Sequence, residues 1–84
     1  MCYLYILKSL KDRKYYVGIT SNLNARLEYH NKGMVKSTRN RKPFDIIYNE
    51  KHVTMSEARK REKYLKSYKG SGEKLKIIEN CGIV

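Results

Sequence analysis

Residues 3 to 7 read YLYIL, an unbroken apolar run in an otherwise heavily charged chain. A strand with one wet face alternates apolar and polar residues, whereas a continuous run suits a central strand covered on both faces. The polar segment Ser9 to Lys14 reads as a hairpin turn, and Tyr15 to Ile19 as a second strand antiparallel to the first. Gly18 inside that strand marks a place where another backbone or a ligand comes close. Further on, Phe44 to Tyr48 (FDIIY) reads as a third strand that extends as far as Val53.

Helical signals separate and follow the strands. Ser21 is a suitable cap for a helix over about Asn22 to Asn31, because its hydroxyl accepts a free backbone N–H. Asn31, Lys32 and Gly33 close that helix, with glycine just past the last turn. The stretch KGMVKSTRNRKP is a basic loop ending at Pro43. Thr54 to Glu57 (TMSE) is a capping-box pattern that opens a helix over about Met55 to Tyr68. Gly70-Ser71-Gly72 breaks it, and a short helix over about Glu73 to Asn80 follows. The order β-β-α-β-α-α predicts an α+β domain over residues 1–84, a small three-stranded antiparallel sheet flanked by about three helices.

The chain has 84 residues, room for one domain. A domain of that size buries only about 60–65% of its unfolded surface, and eight tyrosines and one phenylalanine supply much of its core material. No apolar run approaches the ~18 residues of a membrane span. The start CYLYIL is too short for a secretory signal and has no small-residue cleavage site after it. Cys2 and Cys81 are isolated, so they read as reduced thiols of a cytoplasmic protein rather than a disulfide framework or a metal cluster.

Nineteen Lys and Arg against eight Asp and Glu give a net charge of +11. So much positive charge on so small a domain points to a polyanionic partner, and nucleic acid is the usual one. A basic surface kept for solubility, or a ribosome-associated role, is the plainer alternative. The loop carries Lys36, Arg39, Arg41 and Lys42 with Ser37 and Thr38 among them. Those point charges and hydroxyls suit phosphate contacts, which position a nucleic acid without reading its sequence; the loop also reads simply as a solvated one. No zinc-finger spacing, Walker loop or base-reading helix is present, and no small-molecule substrate is expected.

Two polar residues fall on apolar helix stripes, and a third borders one. At about 100° per residue, Met55, Ala58 and Leu65 share one stripe, and Glu62 lies inside it. A partly desolvated carboxylate there needs a partner. It is either an ion pair with a nearby arginine, or a metal ligand or acid–base group of the kind hard divalent cations prefer. On the first helix Leu23 and Leu27 form the stripe; His30 lies on it and Arg26 borders it four residues earlier. His30 is readable as a satisfied core residue and Arg26 as a solvated one, or the two as a functional pair.

Taken in order, these features resemble the GIY-YIG nuclease superfamily over roughly residues 2 to 75, and most of all its small stand-alone bacterial members. YLYIL followed by YYVG, with Tyr5 and Tyr16 eleven residues apart, is similar to the two motif halves. The first half reads YLY in place of GIY, the second carries Val17 in place of isoleucine, and no asparagine after Glu62 matches the late one found in several members. The resemblance implies a fold like the one read above, one divalent metal (Mg²⁺ or Mn²⁺) and cleavage of a DNA phosphodiester, with RNA as a further polyanion to consider. It implies Tyr5, Tyr16, Arg26, His30 and Glu62 as the catalytic set, with Glu62 on the metal and Gly18 as the motif glycine. Within such a set Tyr5 is the favoured water-activating base and Tyr16 the favoured phosphate-positioning group, although the opposite assignment fits as well. Arg26 would hold the phosphate, and His30 would shuttle a proton or orient a tyrosine hydroxyl. A non-catalytic nucleic-acid-binding module on the same fold is the competing reading. The oligomeric state and the natural substrate are not legible.

Overall fold

A computed structural model describes residues 1–81 of the chain, with the Cys81 side chain outside the description. The elements run β1 (Cys2–Ser9), β2 (Tyr15–Thr20), α1 (Leu23–Asn31), a 3-10 turn (Arg39–Arg41), β3 (Phe44–His52), α2 (Met55–Lys66) and α3 (Ser71–Cys81). The sheet is antiparallel in the order β2-β1-β3, so the YLYIL strand is central. This is the three-stranded β-β-α-β-α-α architecture expected from the sequence.

Successive strand residues point to opposite faces. Leu4 and Ile6 join Val17, Leu65 of α2 and Ile78 of α3 on one side. Tyr5 and Leu7 join Phe44 on the other, with Tyr16 and the α1 residues Leu23 and Leu27 packed against them. All four residues from Leu4 to Leu7 are at most 1% exposed, which accounts for the unbroken apolar run. Pairing shifts between Ile6, opposite Tyr48, and Leu7, opposite Ile46. The extra residue, Ile47, is a β-bulge that lets Ile47 and Tyr48 pack on the same core.

The first helix has a different cap from the one expected and the expected glycine at its close. Asn22, not Ser21, caps α1: its backbone is extended and its side-chain oxygen accepts from Ala25 N–H at 3.0 Å. The Thr20 hydroxyl takes the Asn22 N–H at 3.2 Å, which fixes Asn22 for that role. At the far end Gly33 has φ +77, its N–H bonds the His30 carbonyl, and Met34 N–H bonds the Tyr29 carbonyl. That pair of bonds is a Schellman closure, and it leaves His30 in the last turn, facing inward.

The second helix is shorter than its sequence suggests. Thr54 caps it by accepting from Glu57 N–H at 3.2 Å. It stops at Lys66, because Ser67 turns extended and its hydroxyl bonds the Tyr64 carbonyl at 2.6 Å and accepts from Gly70 N–H. The third helix then starts at Ser71, two residues earlier than expected. Met55 is 39% exposed and overhangs the first turn, so the buried stripe of α2 is Ala58 and Leu65. Arg61 ties three elements together, forking onto Glu50 of β3 at 3.0 Å through both Nε and a terminal nitrogen, and pairing with Glu73 of α3.

Candidate active site

The register of β1 and β2 places Tyr5 opposite Gly18 and Tyr16 opposite Leu7, with Tyr5 and Tyr16 on the α1 face. A methyl group on Gly18 would stand 2.5 Å from the Tyr5 hydroxyl oxygen and 3.1 Å from the Tyr16 ring. No side chain tolerates that approach, so the glycine is what lets the Tyr5 ring lie across its partner strand. The expected close neighbour of Gly18 is therefore the tyrosine itself.

Helix α1 supplies the partners. Arg26 and His30, four residues apart, both reach the Tyr5 oxygen: Arg26 Nε–H donates to it at 3.2 Å and His30 Nε2 lies 3.0 Å away. The other ring nitrogen of His30, Nδ1, lies 2.8 Å from the Thr38 hydroxyl. His30 is fully buried and meets the rings of Tyr5, Tyr16 and Phe44 edge-on, at centroid distances of 6.0, 5.2 and 5.8 Å. Asn31 fastens this end of the helix to β3, accepting from Phe44 N–H at 2.7 Å and donating to the Phe44 carbonyl at 3.2 Å.

The electrostatics follow from this packing. Burial, assisted by the Arg26 charge, lowers the His30 pKa to about 4, so the ring is neutral at neutral pH. Burial raises the Tyr5 pKa; the Arg26 hydrogen bond and charge oppose that rise, while Tyr16 and Glu62 add to it. The same bond to Tyr5 is the main reason the Arg26 pKa is raised. Tyr5 therefore rests as a phenol between a fixed cation and a neutral imidazole.

Glu62 belongs to this neighbourhood through its charge, which Tyr5 feels. Its ion-pair partner is Lys66 at 3.1 Å, one turn along α2, rather than an arginine. The Lys66 ammonium in turn sits 5.4 Å from the centre of the Tyr16 ring. Glu62 keeps about one-fifth of its side chain exposed. Among the described residues no three His, Cys, Asp or Glu side chains converge. One accessible carboxylate suits a Mg²⁺-type ion, which takes one or two protein carboxylates and fills its other positions with water and phosphate oxygens.

The basic loop divides into two sets. Lys36, Arg39 and Lys42 are exposed and available to a polyanion. Thr38 is fully buried behind His30, which corrects the expectation that it meets phosphate. Arg41 is turned inward, with Nε 2.8 Å from Asp12 and the guanidinium over the Phe44 ring, so it acts as a clasp between loop and hairpin. A shallow depression of about 250 Å³ opens beside Arg26, lined by Thr20, Ser21, Asn22, Ala25, Arg26 and Tyr29. Sequence reasoning missed Thr38 as the partner of His30, Lys66 as the partner of Glu62, and Tyr29, whose ring carries the Arg26 guanidinium at 5.3 Å. The helical spacings of Lys66 and Tyr29 contain a signal; Thr38, in an aperiodic loop, has none.

Residues 1–76 match the family model described as the GIY-YIG catalytic domain. A UPF0213 protein of Staphylococcus haemolyticus is 41% identical over 78 residues, covering 92% of this chain and 93% of that protein. A UPF0213 protein of Oceanobacillus iheyensis is 42% identical over 78 residues, covering 92% and 88%. The solution NMR structure of a UPF0213 protein from Bacillus halodurans superposes with a TM-score of 0.52 at 30% identity, covering 92% of this chain and 85% of that one. Matched over nearly its whole length in sequence and in fold, this chain belongs to the GIY-YIG catalytic domain family, a nuclease-type family.

Proposed function

We propose that the protein is a metal-dependent DNA endonuclease that hydrolyses a phosphodiester bond, structure-selective or weakly sequence-specific, and that it serves DNA repair or recombination. The observation that carries this reading is the contact chain from Arg26 through the Tyr5 hydroxyl to His30. Hydrolysis needs a group that takes a proton from water, beside a cation that holds the phosphate. The two groups are in contact here, the Tyr5 hydroxyl and the Arg26 guanidinium that donates to it.

Each residue has a definite task in this scheme. The Arg26 guanidinium binds the scissile phosphate with the nitrogens not committed to Tyr5. The Tyr5 oxygen takes a proton from the attacking water as its own proton passes to His30 Nε2. Burial opposes a phenolate and an imidazolium alike, and the negative phosphate held beside the pair favours the imidazolium. Tyr16 orients the phosphate from the neighbouring strand. Glu62 would hold a Mg²⁺ or Mn²⁺ ion, whose chemistry would be Lewis-acid stabilisation of the leaving 3′ oxygen. Lys36, Arg39 and Lys42 bind flanking phosphates.

A panel of single-stranded, duplex, nicked, flap and branched DNAs, incubated with Mg²⁺ or Mn²⁺, tests the proposal. Nicking is expected from the wild type, and its loss from Glu62→Ala and Arg26→Ala while binding persists. A wild type that binds in a salt-sensitive manner and cuts nothing leaves only the binding module.

A further inference from the structure

We propose that Thr38 is a positioning residue that accepts the Nδ1 proton of His30 and so holds the ring with Nε2 bare toward Tyr5. The inference rests on the proton path proposed above and assigns to it a residue outside the set implied by the family motifs.

Counting donors and acceptors along the buried chain distinguishes the two tautomers. The Tyr5 oxygen already accepts from Arg26 Nε–H, so the Tyr5 O–H must donate. Tyr5 is 1% exposed, and His30 Nε2 is the acceptor at hydrogen-bond distance. With the proton on Nδ1 every member is satisfied. Arg26 donates to Tyr5, Tyr5 to Nε2, Nδ1–H to the Thr38 hydroxyl, and that hydroxyl to the Val35 carbonyl at 3.5 Å. With the proton on Nε2 the Tyr5 oxygen would face two N–H donors, and its own hydrogen would have no partner in this chain. An unsatisfied buried donor is costly, so the first arrangement is the stable one.

Thr38 completes the arrangement because its hydroxyl can accept the Nδ1 proton and still donate to the Val35 carbonyl. Its backbone N–H also bonds the Val35 carbonyl, at 3.1 Å, so the residue is held in a tight turn and its hydroxyl is presented to Nδ1 at a fixed height. The loop that makes this turn carries Lys36 and Arg39 on its outer surface. The same segment thus faces a polyanion outward and sets an imidazole proton inward.

The ring ¹⁵N spectrum at neutral pH reads the tautomer directly, without metal or substrate. The chain has two histidines, so His52→Gln assigns the signals. The expected result is a pyrrole-type Nδ1 and a pyridine-type Nε2 for His30 in the wild type and in Thr38→Ser. Thr38→Val, which removes the hydroxyl at nearly constant shape, leaves Nδ1–H without its acceptor, so the tautomer should persist while the Nδ1–H proton signal moves upfield and exchanges faster with solvent. Cleavage should fall about 10- to 100-fold in Thr38→Val and stay within about threefold in Thr38→Ser, a loss typical of a group that orients a catalytic histidine. A wild-type His30 protonated on Nε2 overturns the inference, and that spectrum needs no variant to fold. So does a Thr38→Val protein whose Nδ1–H signal is unchanged, or one whose signal changes yet which cuts normally. If the ring signals behave as expected but the wild type cleaves nothing, the tautomer lock stands and the nuclease reading fails.

Discussion

Removing one oxygen from Tyr5 separates its structural role from its chemical one. Tyr5→Phe keeps the ring over Gly18 but leaves Arg26 Nε–H and a His30 ring nitrogen without their shared partner. The expected cost is about 1–3 kcal/mol of stability and a loss of roughly 10²–10⁴ in cleavage rate, read by urea denaturation and by initial rates. Gly18→Ala tests the complementary point: a methyl 2.5 Å from the hydroxyl expels the ring, and both stability and activity should fall. His30 gives the fold a pH signature. Its folded pKa, about 4, lies below the ordinary 6.5. The unfolded chain therefore binds the proton first, and stability falls as the pH drops from about 6.5 to 4, by up to about 3 kcal/mol. Melting curves across that window should lose most of this slope in His30→Gln.

Among the elements, the joint between α2 and α3 offers a paired test within three residues. A methyl on Gly70 would stand 1.8 Å from the Tyr64 carbonyl oxygen, whereas one on Gly72 meets nothing within 4 Å. Gly70→Ala should destabilise by on the order of 3 kcal/mol, and Gly72→Ala, in the first turn of α3, should be neutral or stabilise by up to about 1 kcal/mol. Urea unfolding of the two variants measures both. The sequence showed this break but not which glycine it depends on, because GSG is symmetrical on paper and the carbonyl of Tyr64 is not. The strands were legible because the apolar continuity of YLYIL reports burial directly, and FDIIY is mostly apolar and β-branched or aromatic. Tyr5, Tyr16, Arg26, His30 and Glu62 were legible as polar groups on apolar elements in a recognisable order. Thr38 and Arg41 were misjudged because a loop has no periodicity, so nothing in STRNRK distinguishes an inward side chain from an outward one.

For the whole molecule, the net charge of +11 makes nucleic-acid affinity a function of salt. Lys36→Glu and Arg39→Glu should weaken binding to every sequence alike and flatten the plot of log affinity against log salt by about one unit each. Arg41→Ala should lower the melting temperature and leave that slope nearly unchanged, because its charge is spent on Asp12. Fluorescence anisotropy over a salt series distinguishes the two behaviours. The same molecule has a strand with two masters. Leu4 and Ile6 hold the α2–α3 side while Tyr5 faces α1. A register error of one residue in β1 would exchange them, sending the phenol into the apolar core and an isoleucine into the site. Folding fidelity and chemistry are thus read out by the same tyrosine. Under the proposed mechanism, a DNA-cleavage rate would scale with the fraction of molecules whose central strand is paired in register.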